Sequence, residues 1–102
     1  MPEFDSEEGR SFIIKPVIEG HRYRCPCCHY RTLRGRGGYE ICHVCFWEDD
    51  GQDDHDADKV YGGPNRDVSL IEARQNYQRL GVADPRDLGK VRPPTAEESE
   101  PN

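Results

Sequence analysis

The chain has 102 residues, 33% of them hydrophobic and 33% charged, with a formal net charge of −6; its mean hydropathy is −0.99. One small domain with a thin core is all that such a chain can build, and cores of this size are usually stapled by disulfides or a metal. The acidic balance disfavours a general nucleic-acid binder, and no apolar run is long enough for a membrane span or a signal peptide, which points to a cytoplasmic, reducing setting.

Residues 1–11 carry many acids and little to bury, the composition of a disordered N-terminus. The domain is expected over 12–92. It opens with Phe12 to Ile18, FIIKPVI, a strand-like run that Pro16 restricts to an edge or an irregular position. Tyr23 and Arg24 lead into a first cysteine cluster, and Tyr30 to Arg34 leave it as a strand. GRGG, Gly35 to Gly38, is turn chemistry. Tyr39 to Ile41 lead into a second cluster, and Phe46 and Trp47 leave it. The pattern predicts a ribbon over about 21–50, with two short hairpin-like arms and a cysteine pair at each tip. Phe46 and Trp47 are expected to cover the tips and seat a helix against them, because few other apolar residues are at hand.

Charge is segregated along this stretch. Five arginines and no acid fall between Gly20 and Tyr39, and eight acids and no base fall between Glu40 and Asp58. The acidic loop, 48–60, gives way to the turn YGGPN. A helix follows at about 70–80. Ser69 can cap it, with Glu72 completing a capping box, and Leu70, Ala73, Tyr77 and Leu80 share one face. Gly81 suits the C′ position, and Asp84 with Pro85 can open one further turn. PPTAEESEPN, 93–102, reads as a disordered tail. The fold class is small α+β: zinc-ribbon-like β-hairpins with a four-cysteine metal site, plus one C-terminal helix.

Five cysteines, an odd count in a reducing setting, argue for metal ligands or redox thiols over a disulfide framework. Cys25, Cys28, Cys42 and Cys45 spell C-x2-C-x13-C-x2-C. Each pair can turn back on one point, and four thiolates at tetrahedral corners suit Zn2+. Iron fits the same cage and is the second choice. Four sulfurs fill a tetrahedral site, leaving no position for water or substrate, so the metal is expected to be structural and the protein not an enzyme. The histidines at 21, 29, 43 and 55 are rival ligands that a filled site does not need. Cys27 is the residue left over, read first as a spectator whose backbone N–H bonds a ligand sulfur, with a reactive thiol made acidic by Arg22, Arg24 and the metal, or a substitute ligand during metal exchange, as the alternatives.

Other patterns are weaker. CPCC also has the C-P-x-C form of a thiol–disulfide oxidoreductase, but the βαβ context of such motifs is missing around 25–28. Asp54, Asp56 and Asp58 have the spacing of a calcium loop, but Lys59 stands where glycine is needed and Asn65 where a bidentate glutamate belongs.

The stretches CPCC, GGYEICHVCFWEDDG, GGPN and SLIEARQNY together resemble the cysteine-rich CPCC family, a group of small, mostly bacterial proteins. The resemblance runs from about Tyr23 to Gly81. It implies a zinc-ribbon-like cysteine site followed by a helix, with Cys25, Cys28, Cys42 and Cys45 as the metal-binding cysteines, and it supplies no reaction. Two positions depart from the family pattern: His29 stands where glycine is common, and His43 where proline is common. His29 is therefore where backbone strain is expected.

The functional expectation is a non-catalytic zinc module that binds another protein, with an immunity- or antitoxin-like role facing a basic enzyme as one form of it. Glu48, Asp49, Asp50, Asp53 and Asp54 would face the partner, together with the polar helix face of Glu72, Gln75, Asn76 and Arg79. The alternative is nucleic-acid binding through Arg31, Arg34 and Arg36, interleaved with Tyr30 and Tyr39. Against it, the same arginines have acids of opposite charge close by in sequence to pair with.

Overall fold

The computed structural model describes residues 12–100, so the expected N-terminal segment 1–11 lies outside them. Regular elements are few, because the Gly- and Pro-punctuated chain turns every few residues. β1 (Tyr23–Arg24) pairs antiparallel with β2 (Arg31–Leu33), Tyr23 opposite Leu33 and Arg24 opposite Arg31, with an irregularity in register between them. This first arm encloses CPCC. The second arm encloses CHVC through a bridge between Ile41 and Glu48 and a reciprocal pair of hydrogen bonds, Tyr39 N–H to Asp49 O and Asp49 N–H to Glu40 O. The expected ribbon is thus present, with its second arm too irregular to count as strands.

α1 spans Leu70–Leu80, as its caps predict. Ser69 is extended and its side chain accepts the Glu72 N–H. Gly81 is left-handed at φ 80, and its N–H closes on Tyr77 O. Leu70 and Ala73 are fully buried, but Leu80 is exposed, and Asn76 takes the buried place instead, donating to Ala83 O. The 3.6-residue period identified the helix; the point where the core ends, one turn early, depends on what packs there. Among the described residues no helix is long and apolar enough to cross a membrane.

The core is small: Leu33, Val44, Trp47, Val68, Leu70 and a few alanines gathered around the cysteines. Trp47 is buried as expected, and its indole Nε1 has no hydrogen-bond partner. Three bonds fasten the second half of the chain to the arm tips. Arg74 Nε donates to Pro26 O, Ala83 N–H to Cys45 O and Arg92 N–H to His43 O.

Three expectations need correction. The run 12–18 makes a single bridge, Lys15 with Arg36, and leaves Ile14, Val17 and Ile18 exposed. Lys15 and Arg36 exchange both backbone hydrogen bonds, so the next rung would fall to Val17, and no bond from its N–H continues the ladder; the pairing ends where it starts. Gly37 is required where this run passes, since at φ 76 a Cβ there would lie 2.5 Å from Ile13 O. The tail after Arg92 is not loose over 93–100. Thr95 starts a turn, Glu98 grips Arg92 with both oxygens at 2.8 Å, and Glu98 O accepts the Arg31 N–H on the outer edge of β2. Two hydrogen-bonded anchors outweigh the polar composition.

The third correction concerns charge: the expected pairing of arm arginines with the acidic loop holds at Arg36, but it buries acids that were expected to face a partner. Arg36 and Asp49 are buried, 7% and 0% exposed, and meet at 3.0 Å. Arg36 also bonds Asp53 and Gln52 O, while Asp49 accepts the N–H groups of Gly37 and Gly51. Burial alone would lower the Arg36 pKa; the two aspartates outweigh it and keep the guanidinium charged. Asp50 is buried on its own Asx turn to Gln52 N–H, and Asp53 and Asp56 form a reciprocal capping box. Half of the acidic run is therefore turn chemistry turned inward, because an aspartate reaches backbone amides two or three residues on.

Two expected outcomes follow. Asp49→Ala strands a buried guanidinium and should cost about 3–5 kcal/mol in denaturant unfolding, whereas Asp54→Ala, whose 85%-exposed side chain meets Arg74, should cost under about 0.5 kcal/mol; equal losses would overturn this division of the acidic run. The Arg92 contact holds Glu98 down to about 2. A depressed carboxylate stabilises above its unfolded pKa and loses that contribution as pH falls through about 2. At neutral pH, Glu98→Gln should therefore speed hydrogen exchange of the Arg31 amide roughly two- to fivefold, and an unchanged rate would remove the anchor from the account.

Candidate metal centre

The two arm tips are built alike. In the first, His29 N–H donates to Cys25 O at 2.8 Å and Cys25 N–H to Tyr30 O at 2.8 Å. In the second, Phe46 N–H donates to Cys42 O at 2.7 Å and Cys42 N–H to Trp47 O at 2.9 Å. Each turn is closed by a left-handed residue directly after its second cysteine: His29 at φ 69 and Phe46 at φ 70. The strain expected at His29 is there. Its counterpart at Phe46 went unforeseen, although the same C-x2-C-x spacing demands it.

These turns bring Cys25, Cys28, Cys42 and Cys45 together with all four sulfurs within 4.8 Å of one another. Cys25 Sγ lies 3.6 Å from Cys45 Sγ, and Cys28 Sγ lies 3.7 Å from Cys42 Sγ. A tetrahedral ion with metal–sulfur bonds of about 2.3 Å has sulfurs about 3.8 Å apart, so the donor set and its spacing fit one soft metal ion. All four cysteines are buried and none is in a disulfide.

The electrostatics favour a cation. Burial pushes the Cys25 thiol well above its usual value. Hydrogen bonds from Cys25, then Cys28 and Cys45, pull Cys42 the other way. One thiolate is welcome in this cage and each further one is opposed, so the fully ionised set needs a positive ion at its centre. Donors from outside the cage also reach the sulfurs. Cys27 N–H lies 3.4 Å from Cys25 Sγ, Trp47 N–H 3.5 Å from Cys45 Sγ, and Thr32 Oγ1 3.0 Å from Cys42 Sγ. Cys27 thus holds a ligand through its backbone while its own side chain is buried.

The rival ligands lie elsewhere. His21, His29, His43 and His55 are all exposed, and the metal-holding group among the described residues is the four cysteines. Asp54, Asp56 and Asp58 do not converge as a calcium loop would, since Asp56 is buried in its turn and Asp54 pairs with Arg74.

The expected partner-facing residues are scattered in environment. Arg36, Asp49 and Asp50 are buried, which removes them from any partner surface. Arg34 pairs with Glu40, and Arg31 bonds Arg22 O and Glu100 O. Glu48 is half-buried, its backbone N–H and O both held by Asn65. Asp53 is half-buried against Arg36, and Asp54 stays exposed. Asn76, expected on the outer helix face, is buried, whereas Glu72, Gln75 and Arg79 face outward. Thr32 and Arg74, which touch the metal cage and the first arm tip, carried no sequence signal. Their roles depend on which strand face and helix face meet the cysteines, and no spacing rule encodes that.

No curated protein and no solved structure matches the chain. The family model for cysteine-rich CPCC matches residues 23–98, reaching past the helix into the segment that packs against β2. With the arms, the single helix and the buried four-cysteine cluster, that match over most of its length makes this chain a member of the cysteine-rich CPCC family.

Proposed function

We propose that the protein is a zinc-binding module without catalytic chemistry, whose ion is structural and whose activity is to bind another protein. The observation that supports this best is the closed, all-thiolate cage: four buried sulfurs complete a tetrahedron and leave no position for a substrate. Zn2+ held by Cys25, Cys28, Cys42 and Cys45 would cross-link two arm tips that the chain otherwise joins only weakly. Apparent binding free energies at such sites are on the order of 10–16 kcal/mol near neutral pH, as large as the stability of a whole domain.

A basic protein is the partner favoured by charge. The net charge is −6, and the exposed acids include Asp58 and Glu72, together with Asp54, whose outward side chain also meets Arg74. Nucleic-acid binding through the arm arginines is the weaker reading, because Arg31, Arg34 and Arg36 already have partners within the chain. Thiol–disulfide exchange at Cys25 and Cys28 is weaker still, since both are buried and the turn that carries them does not open a helix.

The metal reading predicts one zinc per chain by elemental analysis, retained in Cys27→Ser and lost in Cys25→Ser. Removal of the ion by a strong chelator should unfold 21–50 and abolish the near-UV dichroism of Trp47; a metal-free protein that keeps that spectrum would overturn the structural role. For the partner, host proteins captured by the metal-loaded chain should be basic. Reversing Asp54, Asp58 and Glu72 to lysine should weaken capture at least roughly tenfold. Capture unaffected by reversal would sink the acidic surface, and tight, salt-sensitive binding to single-stranded nucleic acid would favour the alternative.

A further inference from the structure

Thr32 sits on β2 between Arg31 and Leu33 and is 6% exposed. Its Oγ1 lies 3.0 Å from Cys42 Sγ. Among the described residues, backbone N–H groups of Cys27 and Trp47 also reach ligand sulfurs, which any residue at those positions would supply, and the Cys27 thiol lies beside Cys45, but neither is a hydroxyl donor aimed at Cys42. Thr32 is a side-chain donor, so its presence is a choice of residue. Its β-branch restricts χ1, and burial on a paired strand fixes its backbone, so the hydroxyl is aimed before any ion arrives.

A thiolate bound to a metal has no proton to give. The hydrogen bond must then run from the Thr32 hydroxyl to the sulfur, a charge-assisted bond that stabilises the anion and draws electron density away from the ion. We propose that Thr32 is a positioning residue of the metal centre: its hydroxyl holds Cys42 Sγ in place as a ligand, weakens that sulfur's donation to a soft divalent ion, and makes it the least nucleophilic of the four. The proposal rests on the metal reading above and goes beyond it by assigning one sulfur a character different from the other three.

Cobalt(II) is the probe, because its thiolate-to-metal charge-transfer bands report sulfur donation directly. Wild type, Thr32→Val and Thr32→Ser are each loaded with Co2+. Valine keeps the shape and branching and removes the hydroxyl; serine keeps the hydroxyl. The expected result is one Co2+ per chain in all three. In Thr32→Val the charge-transfer band moves to lower energy, and alkylation at Cys42 itself, followed cysteine by cysteine in the loaded protein, is roughly three- to tenfold faster relative to the other three ligands. Thr32→Ser restores both the band and the rate. Thr32→Ala supplies the same comparison if the valine variant does not fold. Normal Co2+ uptake by Thr32→Val or Thr32→Ala with an unmoved band and an unchanged alkylation rate overturns the proposal and leaves the metal reading standing. Failure of the wild type to take up Co2+ overturns the metal reading and the proposal with it.

Discussion

Four sulfurs within 4.8 Å of one another are the constraint from which the remaining structure hangs. The sheet that closes the first arm has strands of two and three residues, and the second arm has a single bridge, far too little to hold the two together. The apolar core is a thin shell around the same cysteines. The helix and the segment after it are tied on by hydrogen bonds to Pro26 O, His43 O and Cys45 O, carbonyls that belong to the two cysteine turns. The order of dependence follows: the turns position the sulfurs, an ion held by the sulfurs would lock the turns together, and the turns hold the helix. A bound ion would let a chain that is one third charged fold this way, because metal–thiolate bonds need no large apolar area.

The second constraint is the buried Arg36–Asp49 pair, which joins the GRGG turn to the start of the acidic loop. Burying two charges is costly, and such pairs contribute more to choosing one arrangement than to net stability. Here every nitrogen of the guanidinium and both carboxylate oxygens of Asp49 have a partner, with Gln52 O, Asp53 and the amides of Gly37 and Gly51 joining the pair's own bond. The consequence for function is that the outward charge pattern differs from the linear one. Arginines and aspartates that look like opposed surfaces along the sequence cancel inside the fold, and the exposed acids that remain come from the outer part of the loop and the helix.

What the sequence made legible was whatever depends on local spacing. The C-x2-C pairs gave the four-cysteine cluster, and Ser69 and Gly81 gave both ends of α1, while the family resemblance, with glycine common after the second cysteine, marked the left-handed His29. What it hid depends on tertiary neighbours. Leu80 continues the apolar period past the end of the core. Asp49 and Asp50 carry the same letter as Asp54 but the opposite burial. Thr32 differs from any other strand threonine only in what lies 3.0 Å away. The segment 93–100 has the composition of a tail, yet Glu98 and Thr95 happen to meet Arg92 and a free strand edge.

That strand edge bears on how a partner can approach. An unpaired outer edge of β2 would invite strand addition, a common mode of peptide capture. In this chain the edge is occupied: the Arg31 N–H is given to Glu98 O, and Glu100 O accepts from both Arg24 and Arg31. The chain's own acidic end thus covers the outer edge of β2 and engages two arginines of the first arm. A partner that used strand pairing on this edge, or phosphate contact to those two arginines, would first have to displace this segment. The acidic outer loop and the polar face of α1 carry no such cover among the described residues. They are also the surfaces that a basic partner would reach without first displacing any part of the chain.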